Sequence, residues 1–103
     1  MKMIQLLMER IDDELQDAHD YAKLALECET DEPEAAALFA RLSDEEMTHA
    51  KLLHERVVSC IERFKQRGGV VPEAMAAVYD YLHKKQIERA KSIREYQNMY
   101  RGG

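Results

Sequence analysis

Glu46 and His49 stand three residues apart in the run Leu42-Ser43-Asp44-Glu45-Glu46-Met47-Thr48-His49-Ala50. On a helix that spacing puts a carboxylate and an imidazole on one face, about one turn apart. Read at steps of three and four, Ala35, Phe39, Leu42, Glu46, His49, Leu53, Val57, Cys60 and Phe64 fall on a single stripe. The two ligand-type residues therefore replace core residues on an otherwise apolar line. A carboxylate in that position must be paired, protonated or bound to a cation, because burying an unpaired charge is costly. Glu14 interrupts a second stripe in the same way, between Ile4, Leu7 and Ile11 on one side and Ala18, Tyr21, Ala25 and Cys28 on the other.

The elements that must position these residues are helices. The chain has 103 residues, 46% hydrophobic and 34% charged, with no tryptophan and four glycines confined to two short stretches. That composition favours helix throughout one domain. The pattern predicts helices over 1–29, 33–66 and 73–100. Pro33 suits a first helical turn, and Asp31 with Glu34 has capping-box spacing. The short break there predicts an antiparallel hairpin. Ser43-x-x-Glu46 also has capping-box spacing, but the apolar stripe keeps its phase across Ser43, so the second helix is read as continuous. Gly68-Gly69 stops it. Met75, Val78 and Leu82 mark the early apolar face of the third helix, and Tyr79, His83, Gln86, Ala90 and Ile93 form a more polar line. Such a helix suits a cover or an oligomer contact.

Hairpin arithmetic then brings the polar residues together. If Cys28 lies opposite Ala35, paired positions sum to about 63, since antiparallel helices advance equally at ~1.5 Å per residue. Glu14 falls level with His49, and Glu46 lies about one turn away. Cys60 falls opposite Met3, about 35–40 Å along the axis from Cys28, so an intramolecular disulfide is out of reach.

One hairpin supplies too few ligands to enclose two metals. Two copies related by a two-fold axis would supply two of each residue, which is the complement of a di-iron or di-manganese carboxylate bundle. Carboxylates suit hard iron and manganese ions, and imidazole extends the set to zinc. The expectation is a dinuclear iron site, with manganese or zinc as alternatives, held by Glu14, Glu46 and His49 at the interface of a homodimer or larger homo-oligomer. Open coordination positions would admit O2 or peroxide. The rival reading is a non-enzymatic helical interaction or scaffold protein with a polar core layer that sets register, or with a purely structural metal.

Glu14 with Tyr21, Ala36 to Phe39, and Glu45-Glu46-Met47-Thr48-His49-Ala50 resemble one half of the rubrerythrin and ferritin-like superfamily, over about residues 4–66. Members usually carry two such helix pairs in one chain. This sequence has one, and is similar to the short ferritin-like proteins that make the bundle by dimerising. The resemblance implies an all-α, ferritin-like antiparallel hairpin plus a third C-terminal helix, with a four-helix bundle completed by homodimerisation. It places Glu14, Glu46 and His49 at ligand positions. It implies oxidoreductase chemistry, Fe(II) oxidation by O2 or peroxide, in iron handling or peroxide defence. The third helix has no second Glu-x-x-His, and the chain has no cysteine-pair rubredoxin module.

Other residues carry two readings each. Tyr21, two turns from Glu14, is a hydrogen-bond donor to a ligand, a redox-active phenol, or a core tyrosine with its hydroxyl satisfied. Asp80-x-x-His83 repeats the acid-and-imidazole spacing, as a metal site at an oligomer contact or as a surface pair. His54 and Glu55 fall off the stripe and are expected on the surface. The acidic run from Glu27 to Glu34 either draws cations in or solubilises a loop. The net charge of −5, with no dominant basic patch, argues against nucleic acid. No apolar run approaches the ~20 residues that span a bilayer. The start lacks a signal-peptide cleavage region, so a cytoplasmic protein is expected.

Overall fold

No glycine or proline interrupts residues 2–28, and none interrupts 34–67 or 73–101, so nothing in these stretches breaks a helix. The computed structural model describes residues 2–102 as three helices, α1 (Lys2–Cys28), α2 (Pro33–Gln66) and α3 (Glu73–Met99). The described residues contain no strand. The body is long and thin, 57 × 18 × 17 Å.

The α1–α2 turn closes with the Glu32 amide donating to the Cys28 carbonyl at 2.9 Å. Glu32 caps α2 without a side-chain hydrogen bond, so the Asp31/Glu34 capping box does not form; Pro33 in the first turn needs no partner for its missing N–H. At the other end the amide of Gly69 bonds the Phe64 carbonyl, and that of Gly68 the Lys65 carbonyl, both at 3.0 Å. With Gly68 at φ +84°, this is the Schellman arrangement that terminates a helix on glycine.

The hairpin seam is built from Ile4, Leu7, Met8, Ile11, Leu15, Ala18, Ala22 and Ala25 of α1 against Ala36, Ser43, Met47, Ala50 and Val57 of α2. This corrects the phase read from the sequence. The buried stripe of α2 is rotated about one residue from Ala35–Leu42–Glu46–His49, which becomes a half-exposed shoulder. Small residues at the seam let the two backbones approach. Ser43, fully buried, donates its hydroxyl to the Ala18 carbonyl at 2.7 Å and accepts from Gln97 Nε2 at 2.8 Å. Its hydroxyl joins all three helices rather than capping one, and α2 runs unbroken through it. Ser43→Ala should lower unfolding free energy by about 1–3 kcal/mol, read by urea denaturation; a loss below ~0.5 kcal/mol would mean that water replaces the hydroxyl.

α3 lies along the far flank of the hairpin, mainly against α1. Ile93 is 1% exposed and anchors it. Gln86 donates to the Met8 carbonyl at 3.2 Å and to Asp12 at 3.1 Å, and Arg89 donates to Gln16 at 2.8 Å. Its docking line is therefore the polar one, through Gln86 and Ile93, while Val78 of the expected apolar face stands 55% exposed.

Candidate metal centre

Glu14 and Tyr21 sit two residues beyond Asp12 and His19, which face α3. At 3.6 residues per turn, two residues carry the chain about half-way round the helix. The same steps put Glu46 and His49 on the side of α2 away from α3. The ligand-type residues therefore share the hairpin face that α3 leaves uncovered.

On that face the expected convergence is met in distance. His49 Nδ1 lies 3.3 Å from Glu14 Oε2 and 3.6 Å from Glu46 Oε1. One ligand atom from each of Glu14, Glu46 and His49 falls within 4.8 Å of the others. Among the described residues this is the group of three potential ligands that could hold a metal ion. Side-chain exposure is 26% for Glu14, 18% for Glu46 and 53% for His49. The trio is at the surface of one chain, rather than inside its core.

The electrostatics are those of a site short of positive charge. A hydrogen bond with the Glu14 carboxyl, then desolvation, then the Glu14 charge hold the Glu46 carboxyl up at about 7, against a smaller opposing pull from His49. Two neighbouring carboxyls beside an imidazole present the donor set a divalent cation would take, with the cation displacing a proton from Glu46. Two carboxylates and one imidazole fit iron, manganese or zinc by donor type. Three protein ligands leave the coordination sphere of one ion open on the solvent side.

No protein-family model, curated protein or solved structure matches this chain.

The remaining sequence candidates separate from this group. Tyr21 stacks on Phe39, with ring centroids 6.1 Å apart and planes 18° apart, and so forms part of the apolar flank beside the trio. Asp80 pairs with Lys84 at 3.2 Å. His83 stacks on His54, with centroids 4.5 Å apart and planes 7° apart. His54 is thus half-buried between α2 and α3, not on the surface as its position off the stripe suggested. The pairing joins residues 29 positions apart, and nothing in either helix's own periodicity marks it. Glu29 accepts from the Arg101 amide at 2.9 Å, so one member of the acidic run ties down the end of α3. Cys28 and Cys60 are free, half-buried thiols.

Burial, and then the neighbouring His83, lower the His54 pKa, against a smaller upward pull from Glu55. The sign follows directly. A histidine held below its unfolded value of 6.5 binds fewer protons in the native state, so stability falls as pH drops below about 6.5. The fall in melting temperature between pH 7.5 and pH 5 should be larger in the wild type than in His54→Gln. Equal slopes would remove His54 from the account.

Proposed function

We propose that this chain is half of a ferritin-like dinuclear metal protein whose site is completed by a second copy. The observation that carries the reading is the placement of Glu14, Glu46 and His49 within 4.8 Å on an uncovered hairpin face. Half-buried Phe39, Leu42, Leu53 and Phe64 accompany them there, which is the composition of a contact surface rather than a solvated one. A two-fold copy would bring four carboxylates and two imidazoles to one place, bury the apolar flank and complete a four-helix bundle.

When bound, the metal pair supplies the redox chemistry, one electron from each Fe(II) to O2 or peroxide. The protein's share is positional. Glu14 and Glu46 would supply the anionic ligands. His49 would add an imidazole nitrogen to the donor set.

The test is anaerobic titration of the metal-free protein with Fe(II), followed by air and ferric absorbance in the near ultraviolet. Oxidation faster than in buffer, with a break at about two irons per dimer, is the expected result. A second reading draws on the Glu14–Glu46 hydrogen bond: a polar layer that sets helix register in a metal-free interaction protein. No binding, with oxidation at the buffer rate, would select it.

A further inference from the structure

On the flank of the hairpin opposite the metal ligands, α2 and α3 diverge over α1 and leave a slot of about 540 Å³. Its floor is Ile11 and Leu15, and its walls include Met47 and Ala50 of α2 and Ala90 of α3. Side chains bridge α2 and α3 on either side of it. The stacked rings of His54 and His83, 4.5 Å apart, bridge the helices at one end. Gln97 to Ser43 at 2.8 Å and Arg94 to Asp44 at 3.6 Å bridge them at the other. The α2 lining, from Met47 to His54, spans about 10 Å of helix.

Charge runs against the rest of the molecule here. The chain carries 20 acidic and 15 basic residues, yet Lys51, Lys91 and Arg94 line the slot and no aspartate or glutamate does. Arg94 is engaged by Asp44. The lysine ion pairs among the described residues are Lys84–Asp80 and Lys85–Glu88, so Lys51 and Lys91 are left to face the slot without an acidic partner. An apolar trough with two uncommitted cations on its rim is complementary to an apolar body with one anionic end.

Width decides which such molecule. A helix with its side chains is about 10–12 Å across, and the walls already touch at both ends, so a helix would ride above Ile11 and Leu15. A single acyl chain is narrow enough to enter between the walls. We infer that the slot binds the anion of a single-chain fatty acid, with its tail in the trough beside Ile87 and Ala90 and its carboxylate between Lys51 and Lys91. The interaction is non-covalent and does not involve the metal ligands.

Dodecanoate, titrated calorimetrically into the full chain at neutral pH and below its micelle concentration, tests this. Saturable binding of one dodecanoate per chain is expected. The Lys51→Glu/Lys91→Glu double variant should bind more than about tenfold more weakly, since each reversal replaces an attraction by a repulsion. Ala90→Trp, which fills the slot, should abolish binding; its circular dichroism and melting curve show whether α3 stays docked, and if it does not, the charge variant alone decides. Glu46→Ala should bind as the wild type does. Non-saturable uptake, equal binding of dodecyltrimethylammonium, or an unchanged affinity in the charge variant would overturn the assignment. So would an acidic amphipathic peptide that competes for the slot and binds more tightly than dodecanoate.

Discussion

Glu46→Ala is expected to leave a folded protein that does not bind metal. The substitution removes a carboxyl that is hydrogen-bonded to Glu14 and kept near pKa 7 by that bond and by desolvation, so the metal-free fold loses little. The ligand set loses its most enclosed oxygen donor. Changing a group that merely orients a ligand lowers metal affinity 10–100-fold, and removing the ligand itself should exceed about 100-fold. Metal that binds only the native state stabilises it by about 2.7 kcal/mol at 100 times Kd. The wild type should therefore melt higher with Fe(II), Mn(II) or Zn(II), and the variant should melt at one temperature with or without them. An unchanged affinity would remove Glu46 from the site and the site from the protein.

Ile93→Ala is expected to lower unfolding free energy by about 2–5 kcal/mol. Ile93 is 1% exposed, and the other buried residue of α3 is the polar Gln86. A cavity at that point takes away the most buried apolar anchor of a helix also held by half-buried Tyr79, Leu82 and Ala90 and by the Gln86, Arg89 and Gln97 side chains. Urea denaturation followed by circular dichroism reads the loss. A cost under about 1 kcal/mol would show that the remaining contacts hold α3 without Ile93.

The three helices and the hairpin can be read from punctuation: Pro33, the Gly68-Gly69 pair and Pro72 mark the ends, and uninterrupted apolar periodicity fills the intervals. The level of Glu14 against His49 follows from a short loop and a constant rise, and the 3.3 Å contact agrees with it. What periodicity does not convey is which edge of a broad stripe is innermost. α1 and α2 are apolar on more than one flank, so Ala36–Ser43–Met47–Ala50 and Ala35–Leu42–Glu46–His49 both scan as cores, and packing of small residues at the seam selects the first. The angular setting of α3 is less accessible still, because Gln86, Arg89 and Gln97 set it through hydrogen bonds. The His54–His83 stack follows from that setting, and so stays hidden until α3 is in place.

The long reach of α3 has a consequence for how the chain acquires its structure. α1 and α2 meet through a four-residue turn, so their contacts close cheaply and early. Gln86 bonds Met8 across 78 positions, and Arg89 bonds Gln16 across 73. Such distant pairings raise the mean separation of contacts and slow the step that makes them. The hairpin should therefore form first and α3 dock last, leaving the amides of α3 to exchange with solvent through a smaller opening than those of the seam. During that interval the acid-and-imidazole face already exists, while the opposite flank has yet to be covered.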